Sequence, residues 1–318
     1  MRTAARIGHL AHDLVMAGAI GLLVVCALLL STRSVGYPSR AESALPIPDI
    51  ESRTASDRAM AIFRFSLLCL DASNRGRLKE AIADCDKALL LDPARTDLLI
   101  LRGNIEAMDG RLAEAVRDYT RVTMLAPSEP AAYRNRGATY MLMKRDKEAL
   151  ADFARALKLV PGDPSTLELR GHYYQLHDRP DLAIVEYTAA LAGAPGVARL
   201  WNSRCWARVT ANREVKAALA DCNESIRLDP RSSFAHDSRG FALLRLERYR
   251  EAIGSFGRAL ALQPRLASSL FGRGLARLSL HDTAGLRDVA AAKAIEPGIE
   301  SRLGRYGFRL PTRFPSGA

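Results

Sequence analysis

The stretch "AAYRNRGATYMLMKRDKEALADFARALKLVP", residues 131–161, decides the architecture. Apolar and small residues recur at helical spacing on both sides of the polar break "MKRD" (143–146), and the stretch closes on Pro161. A proline disfavours helical geometry in the residue before it, so Pro161 ends the second of two helices. Gly137 lies in the first helix and Ala149 in the second, where two helices need small residues to approach closely. Phe153 follows Ala149 by one turn and supplies the bulk that fills the seam.

The same pattern recurs outward in both directions. "LLLDP", "TMLAP", "LKLVP", "LAGAP", "IRLDP", "LALQP" and "KAIEP" end at Pro93, Pro127, Pro161, Pro195, Pro230, Pro264 and Pro297, at intervals of 34, 34, 34, 35, 34 and 33. Gly103, Gly171, Gly240 and Gly274 match Gly137, and Tyr119, Tyr187 and Phe256 match Phe153. Such a period marks stacked helical hairpins, because one hairpin cannot bury its apolar face without neighbours. Aromatic residues make up only 6% of the 318 residues, which favours helix over sheet.

Residues 131–161 resemble a tetratricopeptide repeat, with Tyr133, Gly137, Tyr140, Ala149, Phe153, Ala156 and Pro161 all in the family's places. The resemblance extends over residues 56–297, seven repeats. It departs at both ends, where Cys69 replaces Gly and where the last repeat is one residue short with Gly285 in place of Ala. It implies an all-α fold, a right-handed superhelical solenoid of about seven hairpins, with a concave groove for a peptide or protein. "GIESRLGRYGF" (298–308) is then expected as a final solvating helix. The expected organisation is residues 1–30 as membrane anchor or signal sequence, 31–55 as a proline-containing linker, 56–308 as solenoid and 309–318 as a basic tail.

The family lines its groove with first-helix side chains. Transferred here, those positions give Asn104, Arg134 and His172 in the earlier repeats and Trp206, Phe234, Phe241 and Phe271 in the later ones. The groove is therefore expected to change from polar to aromatic, a composition suited to an apolar peptide or helix. The alternative is that the rings complete packing between neighbouring first helices. Ser66, Leu70 and Ile100 stand where a carboxylate clamp needs Lys, Asn and Arg, which argues against capture of C-terminal carboxylates.

The formal charge of +11 raises the question of an acidic partner. Arg102, Arg136, Arg170, Arg204, Arg239 and Arg273 recur once per repeat, and so do the acids Asp84, Asp118, Asp152, Glu186, Asp221 and Asp288. A ladder of ion pairs accounts for both series, with each acid expected to pair with the arginine of the following repeat. Nucleic acid is not expected, because its binding needs an unneutralised basic stripe with stacking aromatics. The six histidines form no HExxH motif, His172 and His177 are five apart and expected to be solvated rather than ligands, no Gly-rich phosphate loop is present, and the repeats leave no room for a catalytic domain. No enzyme activity, catalytic residue, cofactor or metal is expected.

Residues 14–30, "LVMAGAIGLLVVCALLL", carry no charge and are near the lower limit of length for a spanning helix. An uncleaved anchor in the bacterial inner membrane, with the repeats in the periplasm, is the first expectation. A signal sequence cleaved near "SVG" (34–36), leaving a soluble periplasmic or secreted protein, is the second. The cysteines bear on the compartment. Cys69 and Cys205 stand at the Gly place of a first helix, and Cys85 and Cys222 at the large-residue place of the second helix in the same repeats. In a hairpin that turns halfway between them these places face each other. Two disulfides, Cys69–Cys85 and Cys205–Cys222, are expected, each closing a loop of about 16 residues and worth on the order of 3 kcal/mol in the chain-entropy model. The alternative is four reduced, buried cysteines.

Overall fold

A computed structural model describes residues 54–310. The apolar run 14–30 and most of the expected linker and tail lie outside the described residues. Among the described residues every regular element is a helix. The chain divides into two compact units, one extending to Pro161 and one from Gly162 onward.

The first unit holds three hairpins, α1 (Ala55–Asn74) with α2 (Leu78–Leu91), α3 (Thr96–Met108) with α4 (Leu112–Leu125), and α5 (Pro130–Leu142) with α6 (Asp146–Leu159). Thr54 opens α1 with a capping box: its Oγ1 accepts from the Asp57 amide, and the Asp57 carboxylate accepts from the Thr54 amide. The second unit holds four hairpins, α7 (Pro164–Leu176) with α8 (Pro180–Gly193), α9 (Ala198–Ala211) with α10 (Val215–Leu228), α11 (Ser233–Arg245) with α12 (Tyr249–Leu262), and α13 (Ala267–Ser279) with α14 (Ala284–Ile295). The short α15 (Ile299–Gly304) follows. Within each unit a first helix packs on its own second helix, and that helix on the next first helix.

The small-against-large pattern is the packing of these hairpins. A Cβ added to Gly103 would lie 2.8 Å from the Tyr119 ring, and one added to Gly137 2.9 Å from Phe153. Both rings are fully buried. In the two hairpins without this glycine, disulfides join Cys69 of α1 to Cys85 of α2 and Cys205 of α9 to Cys222 of α10, and all four residues are buried.

Each hairpin turn carries a left-handed residue, at Gly76, Gly110, Lys144, Asp178, Asn212, Glu247 and His281. At Lys144 the following amide, Arg145, returns to the carbonyl of Tyr140, closing α5 with a Schellman motif. The single 35-residue interval has its cause here. The turn after α9 carries a second left-handed residue, Glu214, two places beyond Asn212, and α9 is one residue longer than α7 or α11.

The charged ladder is present, but its register corrects the expectation. Five of the six arginines pair with the acid of their own repeat; Arg102 also reaches Asp86 of the preceding one, and Arg239, whose repeat has Ser255 at the acid place, donates to Ser255 and to Asn223. Arg102 bonds Asp118 twice at 2.7 Å, Arg136 bonds Asp152 at 2.8 and 2.9 Å, and Arg204 bonds Asp221 at 2.9 and 2.7 Å. Arg170 pairs with Glu186 and Arg273 with Asp288 in the same way. Arg102 and Asp118 stand equally far on either side of the turn residue Gly110, as do Arg136 and Asp152 about Lys144, so the folding back of the hairpin brings each pair together. Asp84, with Leu68 at the arginine place of its repeat, pairs with Lys87 instead.

Candidate protein-binding face

In the first unit, the expected groove residue Asn104 on α3 is buried, and its Oδ1 accepts from the Tyr119 hydroxyl at 2.7 Å and from Asn135 Nδ2 at 2.9 Å. Arg134, half-buried on α5, adjoins this network through Asn135. Glu106, one turn from the arginine place of α3, is also buried. Burial and the nearby negative charge of Asp118 push its carboxyl up to about 7.

In the second unit a polar cluster on α7 comes first. His172 is buried, which corrects the expectation of a solvated histidine, whereas His177 is exposed. The Tyr187 hydroxyl donates to Gln175 Oε1 and lies 2.9 Å from His172 Nδ1. The wholly buried Glu168 accepts from Arg199 of α9 at 3.0 Å. Burial holds the Tyr187 phenol well above its usual pKa.

The aromatic cluster follows on α9, α11 and α13. Trp206 and Phe241 meet edge to face with centroids 5.5 Å apart, and Phe241 meets Phe256 of α12 at 5.0 Å. Phe241 and Phe271 are 0% exposed and Trp206 5%, while Phe234 is half-buried. Phe271 lies inside the packing between helices. Trp206 and Phe241 are covered by the segment after α15, where Tyr306 packs edge to face on Trp206 at 5.9 Å and Phe308 lies tilted against Phe241 at 4.8 Å. Arg245 of α11 lies over the Phe308 ring at 4.4 Å and donates to the Tyr306 carbonyl. Beside Tyr306 opens a cavity of about 360 Å³ lined by Gln175, Asp178, Pro180, Thr210, Arg305 and Tyr306.

Sequence reasoning missed Arg245, Tyr306 and Phe308. It expected one solvating helix through residue 308, whereas α15 ends at Gly304 and the chain turns back. The available signal was "RYGF" (305–308), two aromatic residues astride a glycine. Among the described residues no group of three or more His, Cys, Asp or Glu is placed to hold a metal ion. Among them, too, no helix is long and apolar enough to cross a membrane.

Two family models, both described as tetratricopeptide repeat, match the chain, one over residues 130–163 and the other over 68–123 and 239–295. Tetratricopeptide repeats are thus present over these residues. The fold agrees with solved tetratricopeptide structures. A repeat protein from Parabacteroides merdae superposes with a TM-score of 0.59 at 18% identity, covering 78% of this chain and 99% of its own. PilF from Pseudomonas aeruginosa gives 0.56 at 16% identity, covering 67% and 98%. A thermophilic tetratricopeptide protein from Thermus thermophilus gives 0.50 at 18%, covering 57% and 99%. At these identities the likeness is one of fold. No curated protein is significantly similar in sequence.

Proposed function

We propose that this tetratricopeptide protein is a non-enzymatic protein-interaction scaffold of the bacterial cell envelope. Residues 14–30 tether it to the inner membrane, its repeats stand in the periplasm, and it takes a peptide or protein partner on the face formed by its first helices. The observation that carries the binding role is the edge-to-face meeting of Trp206 and Phe241 on that face of the second unit, with Arg245 donating to the Val209 carbonyl of α9, beside a cavity of about 360 Å³. Aromatic and arginine side chains of this kind anchor partners. Nucleic acid has little to hold, because Arg102, Arg136, Arg170, Arg204 and Arg273 are all bound to carboxylates.

The compartment rests on the uncharged run 14–30 and on the two disulfides, which persist in oxidising surroundings. The "SVG" stretch at 34–36 supports the second reading, a soluble periplasmic or secreted carrier released by cleavage. N-terminal sequencing of the mature protein separates the two, with a start at Met1 favouring the anchor and one near Gly36 the carrier. Thiol alkylation before reduction tests the compartment, and free thiols at all four positions would remove the periplasmic case.

Binding is tested by photo-crosslinking in the native envelope from a benzoylphenylalanine placed at the half-buried Phe234. The control probe replaces Val185, which is 62% exposed on second helix α8. A discrete adduct from Phe234 alone is expected. Identical adducts from both positions, or none from Phe234, would defeat the first-helix assignment.

A further inference from the structure

The segment after α15 does not continue the stack. The Phe308 amide donates to the Leu303 carbonyl at 3.2 Å and the Gly307 amide to the Gly304 carbonyl at 2.9 Å, with Gly307 at φ +84°. These are the two bonds of a Schellman motif, and a side chain at Gly307 would be strained. The turn directs the chain back to α9 and α11, the first helices of the fifth and sixth hairpins. There Tyr306 meets Trp206, Phe308 meets Phe241, and Arg245 holds the carbonyl between the two rings.

Three features distinguish this contact from a structural cap. Only Phe308 is deeply buried, whereas Tyr306 is half-buried and Arg305, Gly307 and Arg309 are exposed. A cavity lies open beside Tyr306 rather than closed under it. Finally, among the described residues Arg245 meets backbone carbonyls, those of Val209 and Tyr306, and the Phe308 ring, with no carboxylate to compensate its charge. Burial lowers the Arg245 pKa accordingly. Removing the segment would return that guanidinium to water, which reduces the cost of opening.

We propose that Tyr306-Gly307-Phe308 is an intramolecular occupant of the partner-binding face, and that the partner is a peptide segment presenting two aromatic rings one residue apart, which must displace it. The proposal rests on the binding role argued above and names the chemistry of its ligand. Tethering gives the tail a high effective concentration, so it masks the site without tight intrinsic binding.

The probe is a fluorescein-labelled peptide with the sequence of residues 304–310, GRYGFRL, titrated by fluorescence polarisation into the full chain and into its Tyr306→Ala/Phe308→Ala variant. The variant is expected to retain its helical circular dichroism and to bind the peptide at least tenfold more tightly than the unaltered chain. The control peptide GRAGARL is expected to bind neither. Equal affinity for both proteins, or no binding to a folded variant, overturns the proposal. Loss of helical structure in the variant also overturns it, because the segment would then be part of the fold. The Phe234 crosslinking experiment reports on the native partner independently, so a specific adduct there beside a failed peptide titration sinks the tail proposal and leaves the scaffold role standing.

Discussion

Gly240 of α11 faces the ring of Phe256 on α12 so closely that an added Cβ would lie 2.5 Å from the ring edge. The ring is fully buried, and a Cβ at Gly272 of α13 would crowd it as closely. Gly240→Ala is therefore expected to destabilise the chain by about 1–3 kcal/mol, the usual cost of overpacking a core. Combining it with Phe256→Leu should recover part of the loss by freeing volume. Urea denaturation of the two variants checks this, and equal midpoints for the single variant and the unaltered protein would refute it.

The ion pairs within hairpins predict a pattern of coupling. Arg136→Ala leaves Asp152 buried without its guanidinium and is expected to cost about 2–3 kcal/mol. In double-mutant cycles Arg136 should couple to Asp152 and show little coupling to Asp118, which belongs to Arg102. Strong coupling between Arg136 and Asp118 would restore the inter-repeat register instead.

Lys144 and Glu247 hold left-handed backbone at φ +58° and +56°, where a Cβ carries a steric penalty. The matching turns at Gly76 and Gly110 avoid it. Lys144→Gly and Glu247→Gly are each expected to stabilise their unit by about 0.5–1 kcal/mol, after the added flexibility of the unfolded chain is counted. A rise in denaturation midpoint at unchanged m-value is the expected readout.

Two buried carboxyls set a pH dependence. Burial and the charge of Asp118 raise Glu106 to about 7, and burial raises Asp237 to about 6 even though Ser268 and Ser269 donate to it. An unfolded chain releases these protons near pH 4. Between that pH and the folded values the native state holds protons that the unfolded state has lost, so stability falls as pH rises. The fall is fully developed once pH passes about 7 for Glu106. The slope should be on the order of 1 kcal/mol per pH unit for each group. Glu106→Gln should flatten the profile between pH 5 and 7, as read from urea melts at successive pH values.

The hairpins were legible in the sequence because period, closing proline and small-against-large residues all repeat, and each repeat restates the same instruction. The partner of each arginine was not. Positions 84 and 102 are nearly as well spaced as 102 and 118, and only the folding of the hairpin about Gly110 chooses the second. The contact of Arg245 with Tyr306 was hidden more deeply, since its ends are 61 residues apart and it occurs once. A periodic signal reveals what every repeat shares. The groove positions inherited from the family pattern named Trp206 and Phe241 but carried no information about the segment that covers them.

Both disulfides close within a single hairpin, and among the described residues none passes from one repeat to the next. Under tension the array therefore has two kinds of link. Hairpins α1–α2 and α9–α10 keep 16 and 17 residues of chain locked out of extension, while the hairpins between them can pay out fully. Stretched from its ends, the oxidised protein should show two rupture steps roughly 50–60 Å shorter than the others, at about 3.5 Å per residue withheld. Reductant should make all the steps alike. An array of these hairpins held at both ends would thus have a redox-dependent reach.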